Sequence, residues 1–263
     1  MKSHKCIFTF VWNEPVFMQV WINYYSKYFS DSEIYILHAI KERECVFDDW
    51  LKWSCDLWNV NRIEIPDGED YEFEKVAETV RNMQKKLLNN YEYVLYTDVD
   101  EIVWHPNGID NYINNASFDS VSCNGFEVVQ KLGEEPDLDL SRPIMEQRRW
   151  WCPSPKMYSK PLLSRVPLDW CWGFHYLNHV PKPPVDSNLI LMHLHKVDFK
   201  ICLERNISRL KNDQELANTM EITPGFQNTL GERCLLSFWG NSIDDGQPVT
   251  LVEIPEHIRK ALL

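Results

Sequence analysis

Hydrophobic positions in the first hundred residues alternate between the spacing of strands and the spacing of helices. Short continuous apolar runs that are rich in β-branched and aromatic residues are typical of buried strands. Such runs predict four strands, at residues 6–12, 34–38, 60–65 and 93–97. The third run is followed by Pro66-Asp67-Gly68, which is a typical turn sequence.

Between these runs, apolar residues recur every three or four positions, which predicts three helices. The first helix follows Pro15, a residue suited to an early helical position. The positions that mark the three helices are Phe17, Trp21, Tyr24 and Tyr28, then Val46, Trp50, Trp53 and Leu57, and finally Val76, Val80, Met83 and Leu87. Strands and helices in this alternation predict an α/β fold, a mostly parallel twisted sheet with helices on both faces.

Polar side chains follow two of the predicted strands. Asn13-Glu14 comes directly after the first strand, and Asp98-Val99-Asp100-Glu101 comes directly after the fourth. Ligands of open parallel sheets bind outside the carboxyl ends of the strands. We therefore expect a ligand site where these two segments lie.

The regular alternation ends after Pro106. Residues 143–184 contain eight of the 15 prolines, which predicts long loops around short strands. A final strand is predicted at residues 188–194, followed by a helix with Asp198 as its N-cap. We predict a single domain over residues 1–263, with a regular half, residues 1–105, and a loop-rich half, residues 106–263.

The charge of the chain limits its partners. A formal net charge of −12 at pH 7 argues against a nucleic-acid partner, because the phosphates would be repelled. A phosphate-bearing small ligand would meet the same repulsion unless a divalent cation, held by some of the carboxylates, reversed the local charge.

The cysteines and the hydropathy suggest a location. None of the eight cysteines forms a C-x-x-C pair, and the chain is long for a disulfide scaffold, so we expect reduced thiols in a cytoplasmic protein. The apolar run before Asn13 is too short for a signal-peptide core, and no run reaches the roughly 20 apolar residues of a membrane span. A peripheral association with a membrane is left open.

The strongest chemical signal is the pair Asp98 and Asp100. Two carboxylates separated by one residue, at the end of an apolar strand, can both reach a ligand if the chain turns there. Carboxylate oxygens suit Mg²⁺ or Mn²⁺, which complete their coordination with waters and substrate phosphates. Glu101 adds a third carboxylate, and a solvated acidic turn is the alternative interpretation.

These residues carry a resemblance to a known family. The segment EYVLYTDVDEIV, residues 92–103, resembles the D-x-D segment of GT-A glycosyltransferases, particularly the family-2-like members. The similarity extends to Asn13-Glu14 and to Arg81-Asn82 before the D-x-D strand, and more loosely to MYSKPLLSRVPLDWCWGFH, residues 157–175.

The resemblance implies a fold and a set of roles. It implies the GT-A fold, in which the D-x-D carboxylates bind Mn²⁺ or Mg²⁺ that bridges the diphosphate of a nucleotide sugar. Carried over by position, Asp100 would bind the metal, and Asp98 the metal or the ribose. Asn13, Glu14 and Arg81 would contact the base and ribose. Residues 1–105 would form the nucleotide-sugar-binding half and residues 106–263 the acceptor-binding half.

His193 and His195 are the next candidates. Two residues apart in a strand, they are expected on the same face. The resemblance implies that one late histidine binds the metal, while the other and Lys196 contact phosphate.

A third set of residues lies in the Pro- and Trp-rich stretch: Asp169, Trp170, Trp172, Gly173 and His175. Tryptophan rings stack on the apolar faces of sugars, so these residues are interpreted as an acceptor-binding wall. Asp169, or otherwise His175, would serve as the general base on an acceptor hydroxyl. A packing cluster of tryptophans is the alternative.

Taken together, the sequence predicts a metal-dependent glycosyltransferase, a hexosyl- or pentosyltransferase, that moves a sugar from a UDP- or GDP-sugar to a glycan, glycoconjugate or other hydroxyl acceptor. The glycine-rich phosphate loops of P-loop and Rossmann enzymes are not found in the sequence. A nucleotidyltransferase acting on sugar phosphates and a non-catalytic carbohydrate-binding protein are the two alternatives.

Overall fold

A computed structural model describes residues 2–40, 46–66, 73–212, 236, 239–241 and 244–262. These residues form two compact units, each built from two segments of the chain. The first unit comprises Met1–Gly125 and Tyr158–Met192, and the second comprises Phe126–Met157 and His193–Leu263. The single domain and its two sequential halves stay predictions.

Regular elements follow one another closely in the first half of the chain. They are β1 (Ser3–Val11), α1 (Pro15–Tyr25), β2 (Ile34–Ile40), α2 (Val46–Trp58), β3 (Asn61–Pro66), α3 (Phe73–Leu87), β4 (Tyr91–Tyr96), β5 (Glu101–Trp104) and α4 (Ile109–Asn114). The four predicted strands and three predicted helices of this region are all present, with shifts of a few residues at their ends. Pro15 occupies the start of α1, as expected. Asp67 and Gly68 lie outside the described residues.

The remaining elements of the described residues vary widely in length. They are β6 (Ser120–Val128), α5 (Ile144–Gln147), β7 (Trp150–Pro153), β8 (Leu163–Ser164), β9 (Val185–His193), α6 (Phe199–Asn212), β10 (Val252–Glu253) and α7 (Glu256–Ala261). Two short 3₁₀ helices, Asp31–Glu33 and Trp172–Phe174, are also present. The predicted final strand and the helix after it are confirmed as β9 and α6. Asp198 caps α6, because its Oδ1 accepts the backbone N–H of Ile201 at 2.9 Å.

The sheet of the first unit has the order β3-β2-β1-β4-β8-β6, with residues 120–125 of β6 in this unit. β1, β2, β3 and β4 run parallel to one another, whereas β8 is antiparallel to both β4 and β6. The predicted fold class, α/β with a mostly parallel sheet flanked by helices, is therefore confirmed. Parallel pairing places the carboxyl ends of β1 and β4 at the same edge of the sheet.

The buried face of α2 is not the face whose apolar spacing identifies the helix in the sequence. Its buried residues include Phe47 and Leu51. Trp53 and Leu57 are 62% and 65% exposed. Both stripes of this helix are apolar, so spacing alone identifies the helix but not its buried face.

In the second unit, β7 lies between residues 126–128 of β6 and β10, antiparallel to both. A small core forms around Val129, Cys152, Cys202 and Trp239, with Phe199 packed against it. The first unit contributes free buried thiols at Cys6, Cys55 and Cys123, and the second at Cys152; Cys45 and Cys234 lie outside the described residues. Within the described ranges, no helix combines the length and the apolar composition needed to cross a bilayer.

Gly125 allows a close backbone approach in the first unit. A Cβ at this position would lie 2.1 Å from the carbonyl carbon of Tyr158 and 2.5 Å from the backbone N of Ser159. Relieving this clash would require one of the two backbone segments to move, which costs free energy. We therefore expect Gly125→Ala to lower the free energy of unfolding by about 1–3 kcal/mol or more. Chemical denaturation measures this change.

Gly240→Ala is the matched control for Gly125→Ala. A Cβ at Gly240 meets none of the described residues within 4 Å, and the backbone there needs no left-handed φ. Equal stability of the two variants would show that the approach at Gly125 is not required.

Candidate functional site

The D-x-D segment lies at the carboxyl end of β4. Tyr96 ends the strand, and Asp98 and Asp100 lie in the turn between β4 and β5. The turn closes on itself, because the backbone N–H of Asp98 donates to Oε2 of Glu101 at 3.0 Å and the N–H of Glu101 donates to the carbonyl of Asp98 at 3.0 Å. The indole N–H of Trp21 on α1 donates to Oγ1 of Thr97 at 2.7 Å. The turn is thus held both internally and by the neighbouring helix.

Both carboxylate oxygens of Asp98 have a protein partner. The hydroxyl of Tyr96 donates to Oδ1 at 2.7 Å, and Nζ of Lys160 donates to Oδ2 at 2.8 Å. Lys160 also lies 2.6 Å from Oε1 of Glu101. The side chains of Lys160 and Glu101 are 2% and 0% exposed, and that of Asp98 is 30% exposed. A buried ammonium therefore bridges two of the three carboxylates of this turn.

The electrostatics of the turn follow from burial and charge. Burial alone would lower the pKa of Lys160, but the charges of Asp98 and Glu101 and their hydrogen bonds outweigh it and raise the pKa above its ordinary value. Burial, followed by the charge of Asp98, raises the pKa of Tyr96 well above its ordinary value. Lys160 is therefore charged and the Tyr96 hydroxyl keeps its proton at neutral pH.

Asn13 and Glu14 lie between β1 and α1. Asn13 has φ 47°, in the left-handed region that a non-glycine residue seldom occupies but that asparagine tolerates best. Glu14 is buried and is the N-cap residue of α1. Such a backbone conformation is frequent at functional sites, and the nucleotide contact of these two residues stays a prediction.

Arg81 on α3 contacts a short hairpin formed by residues 169–178. Its guanidinium donates to the carbonyl oxygen of Trp170 and to Glu74, the latter at 2.6 Å, and lies 3.6 Å from Oδ1 of Asp169. The hairpin closes through the N–H of Asn178, which donates to the carbonyl of Asp169 at 2.7 Å. Arg81 and Asp169, which the sequence assigned to different substrates, thus lie together.

Trp170 is part of the core. It is fully buried, its indole N–H donates to the carbonyl of Pro161 at 2.8 Å, and its ring packs against Tyr96 and Phe174 at centroid distances of 5.6 and 6.0 Å. The predicted role of Trp170 as a sugar-stacking platform is therefore wrong, because its ring presents no face to solvent. The side chain of Trp172 lies outside the described part of the chain.

The two proposed bases differ in exposure. The side chain of Asp169 is 59% exposed, whereas His175 is partly buried and its ring lies 6.1 Å from that of Tyr158. Gly173 before His175 has φ 72°, and Phe174 has φ 61°, an uncommon conformation for a bulky residue. The base role of Asp169 or His175 stays a prediction.

The second unit contains His193, His195 and Lys196. The two imidazole rings are nearly parallel, 12° apart with centroids 5.8 Å apart, as expected for residues on one face. Nδ1 of His193 is 3.1 Å from Oε1 of Glu127, and Nε2 of His195 is 3.4 Å from Sγ of Cys202. A carboxylate on one nitrogen fixes the orientation of an imidazole, as is common for metal ligands and bases alike.

Lys196 is buried, and its Nζ donates to the carbonyl of Asn241 at 2.8 Å. Burial lowers the pKa of Lys196, although the charge of Glu127 acts in the opposite direction. Among the described residues, no group of three or more His, Cys, Asp and Glu side chains is arranged to hold a metal ion. The metal and phosphate roles of these three residues stay predictions.

Sequence reasoning missed Lys160 and Glu127. Both pair with residues more than 60 positions away. Lys160 did carry a signal, since a single lysine between Tyr158 and Pro161-Leu162-Leu163 must either reach solvent or find a buried carboxylate.

Comparisons with known proteins give only distant likenesses. No protein-family model matches the chain, and no curated protein matches it. Among solved structures, TarS 1-349 from S. aureus has a TM-score of 0.41 and 11% sequence identity, covering 87% of this chain and 69% of that chain. A structure of S. aureus TarS has a TM-score of 0.43 and 10% identity, covering 90% and 43%.

The mannosyltransferase PcManGT from Pyrobaculum calidifontis, in complex with GDP-Man and Mn²⁺, has a TM-score of 0.42 and 12% identity, covering 90% of this chain and 70% of that chain. Likenesses of this level carry no argument about the function of this chain.

Arg81 gives a prediction that separates a substrate contact from a structural contact. If it contacts the nucleotide, Arg81→Ala should raise the Michaelis constant for the sugar donor more than it lowers turnover, because such a group binds ground and transition states alike. Steady-state kinetics with varied donor measures both parameters.

Glu74→Gln is the control for Arg81→Ala, since it removes one partner of the guanidinium and leaves the guanidinium in place. An unchanged donor Michaelis constant in Arg81→Ala, together with a lower melting temperature, would leave only the role of holding the hairpin.

Proposed function

We propose that this protein is a metal-dependent glycosyltransferase that moves a sugar from a nucleoside-diphosphate sugar, a UDP- or GDP-sugar, to a hydroxyl group of a glycan or glycoconjugate. The observation that supports this proposal most is the D-x-D turn at the carboxyl end of β4, in the parallel part of the sheet. That is the edge where ligands of such sheets bind.

The carboxylates of the turn fit one mode of metal binding. The described residues offer no cage of three or more ligands. Mg²⁺ and ions like it are usually held in phosphate sites by one or two carboxylates, and waters and substrate phosphates complete the shell. Asp100, next to the fixed Asp98, supplies a hard oxygen ligand for this mode.

We assign five residues to the nucleotide sugar and its metal ion. Asp100 binds Mn²⁺ or Mg²⁺, which when bound stabilises the charge that develops on the departing diphosphate. Asp98 is oriented by Tyr96 and Lys160 toward the ribose or the metal. Asn13, Glu14 and Arg81 bind the nucleoside.

The remaining residues are assigned to phosphate and acceptor. His193, His195 and Lys196 assist at the metal and the phosphates. Asp169 or His175 removes the proton of the acceptor hydroxyl. Because Trp170 is buried, we assign the acceptor surface to other residues of the Pro- and Trp-rich stretch, residues 143–180.

A panel of nucleotide sugars with Mn²⁺ tests the reaction class. A glycosyltransferase releases free UDP or GDP from one member of the panel, slowly with water and faster with acceptor. Exchange of pyrophosphate would instead indicate a nucleotidyltransferase. A protein that binds sugars without any turnover would indicate a carbohydrate-binding protein and contradict the proposal.

A further inference from the structure

The ammonium of Lys160 occupies the position between two carboxylates of the D-x-D turn. Nζ lies 2.8 Å from Oδ2 of Asp98 and 2.6 Å from Oε1 of Glu101. A metal ion bound by both of these oxygens would need the same position, at roughly 2.0–2.2 Å from each. Lys160 and a metal ion bridging Asp98 and Glu101 therefore exclude each other.

The backbone around Lys160 is fixed on two sides. The carbonyl of Lys160 accepts the N–H of Cys123 on β6 at 2.9 Å, and the carbonyl of Leu162 accepts the N–H of Tyr96 on β4 at 3.0 Å. Gly125 lets β6 approach the same segment closely. The segment that carries Lys160 is thus built into the sheet, so its ammonium is held against the carboxylates by the fold.

The second oxygen of Asp98 is also engaged, by the hydroxyl of Tyr96 at 2.7 Å. A carboxylate with a hydrogen bond on each oxygen is well oriented, and coordination of a metal would have to displace or share these bonds.

From this geometry we propose that Lys160 is a positioning residue that keeps divalent cations from binding between Asp98 and Glu101, so that of its two proposed roles Asp98 takes the ribose contact. The inference rests on the proposed function, since it concerns the metal of that same site. It predicts that removing the lysine strengthens metal binding, whereas loss of a merely structural residue would weaken it or leave it unchanged.

The test is a titration of the 263-residue protein with Mn²⁺ alone, by isothermal titration calorimetry, without nucleotide. In Lys160→Ala the two released carboxylates become ligands, so we expect the affinity for Mn²⁺ to rise by at least about tenfold, because affinity grows with the number of charged ligands. Lys160→Ala/Glu101→Gln removes one of the released carboxylates and should lose most of this gain.

Lys182→Ala is the matched control. Lys182 lies beside the same segment, where its Nζ donates to the backbone carbonyl of Ser159 at 3.1 Å. The acceptor of this bond is a carbonyl oxygen and not a carboxylate of Asp98 or Glu101. Its removal should leave Mn²⁺ affinity at the wild-type value.

Lys160→Ala could unfold, because Glu101 is fully buried and loses its cation. Circular dichroism with and without Mn²⁺ covers this case. Recovery of the wild-type spectrum on addition of Mn²⁺ supports the proposal, and failure of Mn²⁺ to restore the fold overturns it.

The outcomes separate this inference from the proposed function. If wild type binds Mn²⁺, Asp100→Asn loses that binding and Lys160→Ala binds no tighter than wild type, only the role of Lys160 is overturned. If wild type binds no Mn²⁺ but Lys160→Ala does, Lys160 excludes metal as inferred, and turnover of the nucleotide sugar with and without Mn²⁺ decides the metal dependence of the proposed function. If neither binds Mn²⁺, the role of Lys160 is overturned, and the same turnover measurement decides the proposed function, in which substrate phosphates complete the metal's shell.

Discussion

Replacing Asp100 by asparagine should abolish most sugar transfer while the protein stays folded. An amide is a weaker metal ligand than a carboxylate and carries no charge, so the diphosphate would lose the cation that stabilises its departure. We expect turnover in Mn²⁺ to fall by roughly 100-fold or more, the size of effect found when one stabilising group of a transition state is removed. Release of UDP or GDP from the nucleotide sugar measures it.

Asp119→Asn is the control for this experiment. Asp119 is an exposed residue of the same unit, paired with the exposed Arg165 at 2.9 Å, and such surface pairs contribute little. The two variants make the same chemical change, so a loss confined to Asp100→Asn reports on the site. Wild-type turnover of Asp100→Asn in Mn²⁺ would contradict the metal role of this residue.

The second large effect concerns the stability of the second unit. Arg148 and Asp198 are both almost fully buried, and their side chains form an ion pair at 3.2 Å. Asp198 also accepts the N–H of Leu138 at 2.7 Å and caps α6. Arg148→Met leaves this carboxylate buried without its cation, so we expect the free energy of unfolding to fall by about 3–5 kcal/mol. Denaturant titration measures the change.

Two further variants test the reason for this loss. Arg148→Met/Asp198→Asn removes both charges and keeps a capping side chain, so it should recover most of the lost stability. Arg142→Met breaks the exposed pair of Arg142 with Glu146 and should cost only a few tenths of a kcal/mol. A loss below about 1 kcal/mol in Arg148→Met would show that the buried pair is not needed.

The first half of the fold could be predicted because its pattern is local. Apolar runs and helical spacing locate β1 to β4 and α1 to α3 within a few residues. β7 and β8 are too short for a pattern to show, and they exist because neighbouring strands supply their partners. The buried face of α2 could not be chosen, since the packing of Phe47 and Leu51 decides it against an equally apolar stripe.

The candidate site, like the fold, could be predicted only where its residues are close together in the sequence. Asp98 and Asp100 stand out because their spacing and the preceding strand are visible in the sequence. Lys160 was missed because its partners are brought close only by the folded sheet. Trp170 was assigned to a sugar because composition does not distinguish an exposed ring from one enclosed by Tyr96 and Phe174.

A crystal structure with Mn²⁺ and UDP or GDP, with the metal located by anomalous scattering, would show whether Asp100 holds the metal. We expect one manganese peak, bound at about 2.1 Å by a carboxylate oxygen of Asp100 and by oxygens of the diphosphate, with Lys160 still bridging Asp98 and Glu101. A nucleotide bound away from the turn after β4, or a manganese ion with no bond to Asp100, would contradict it.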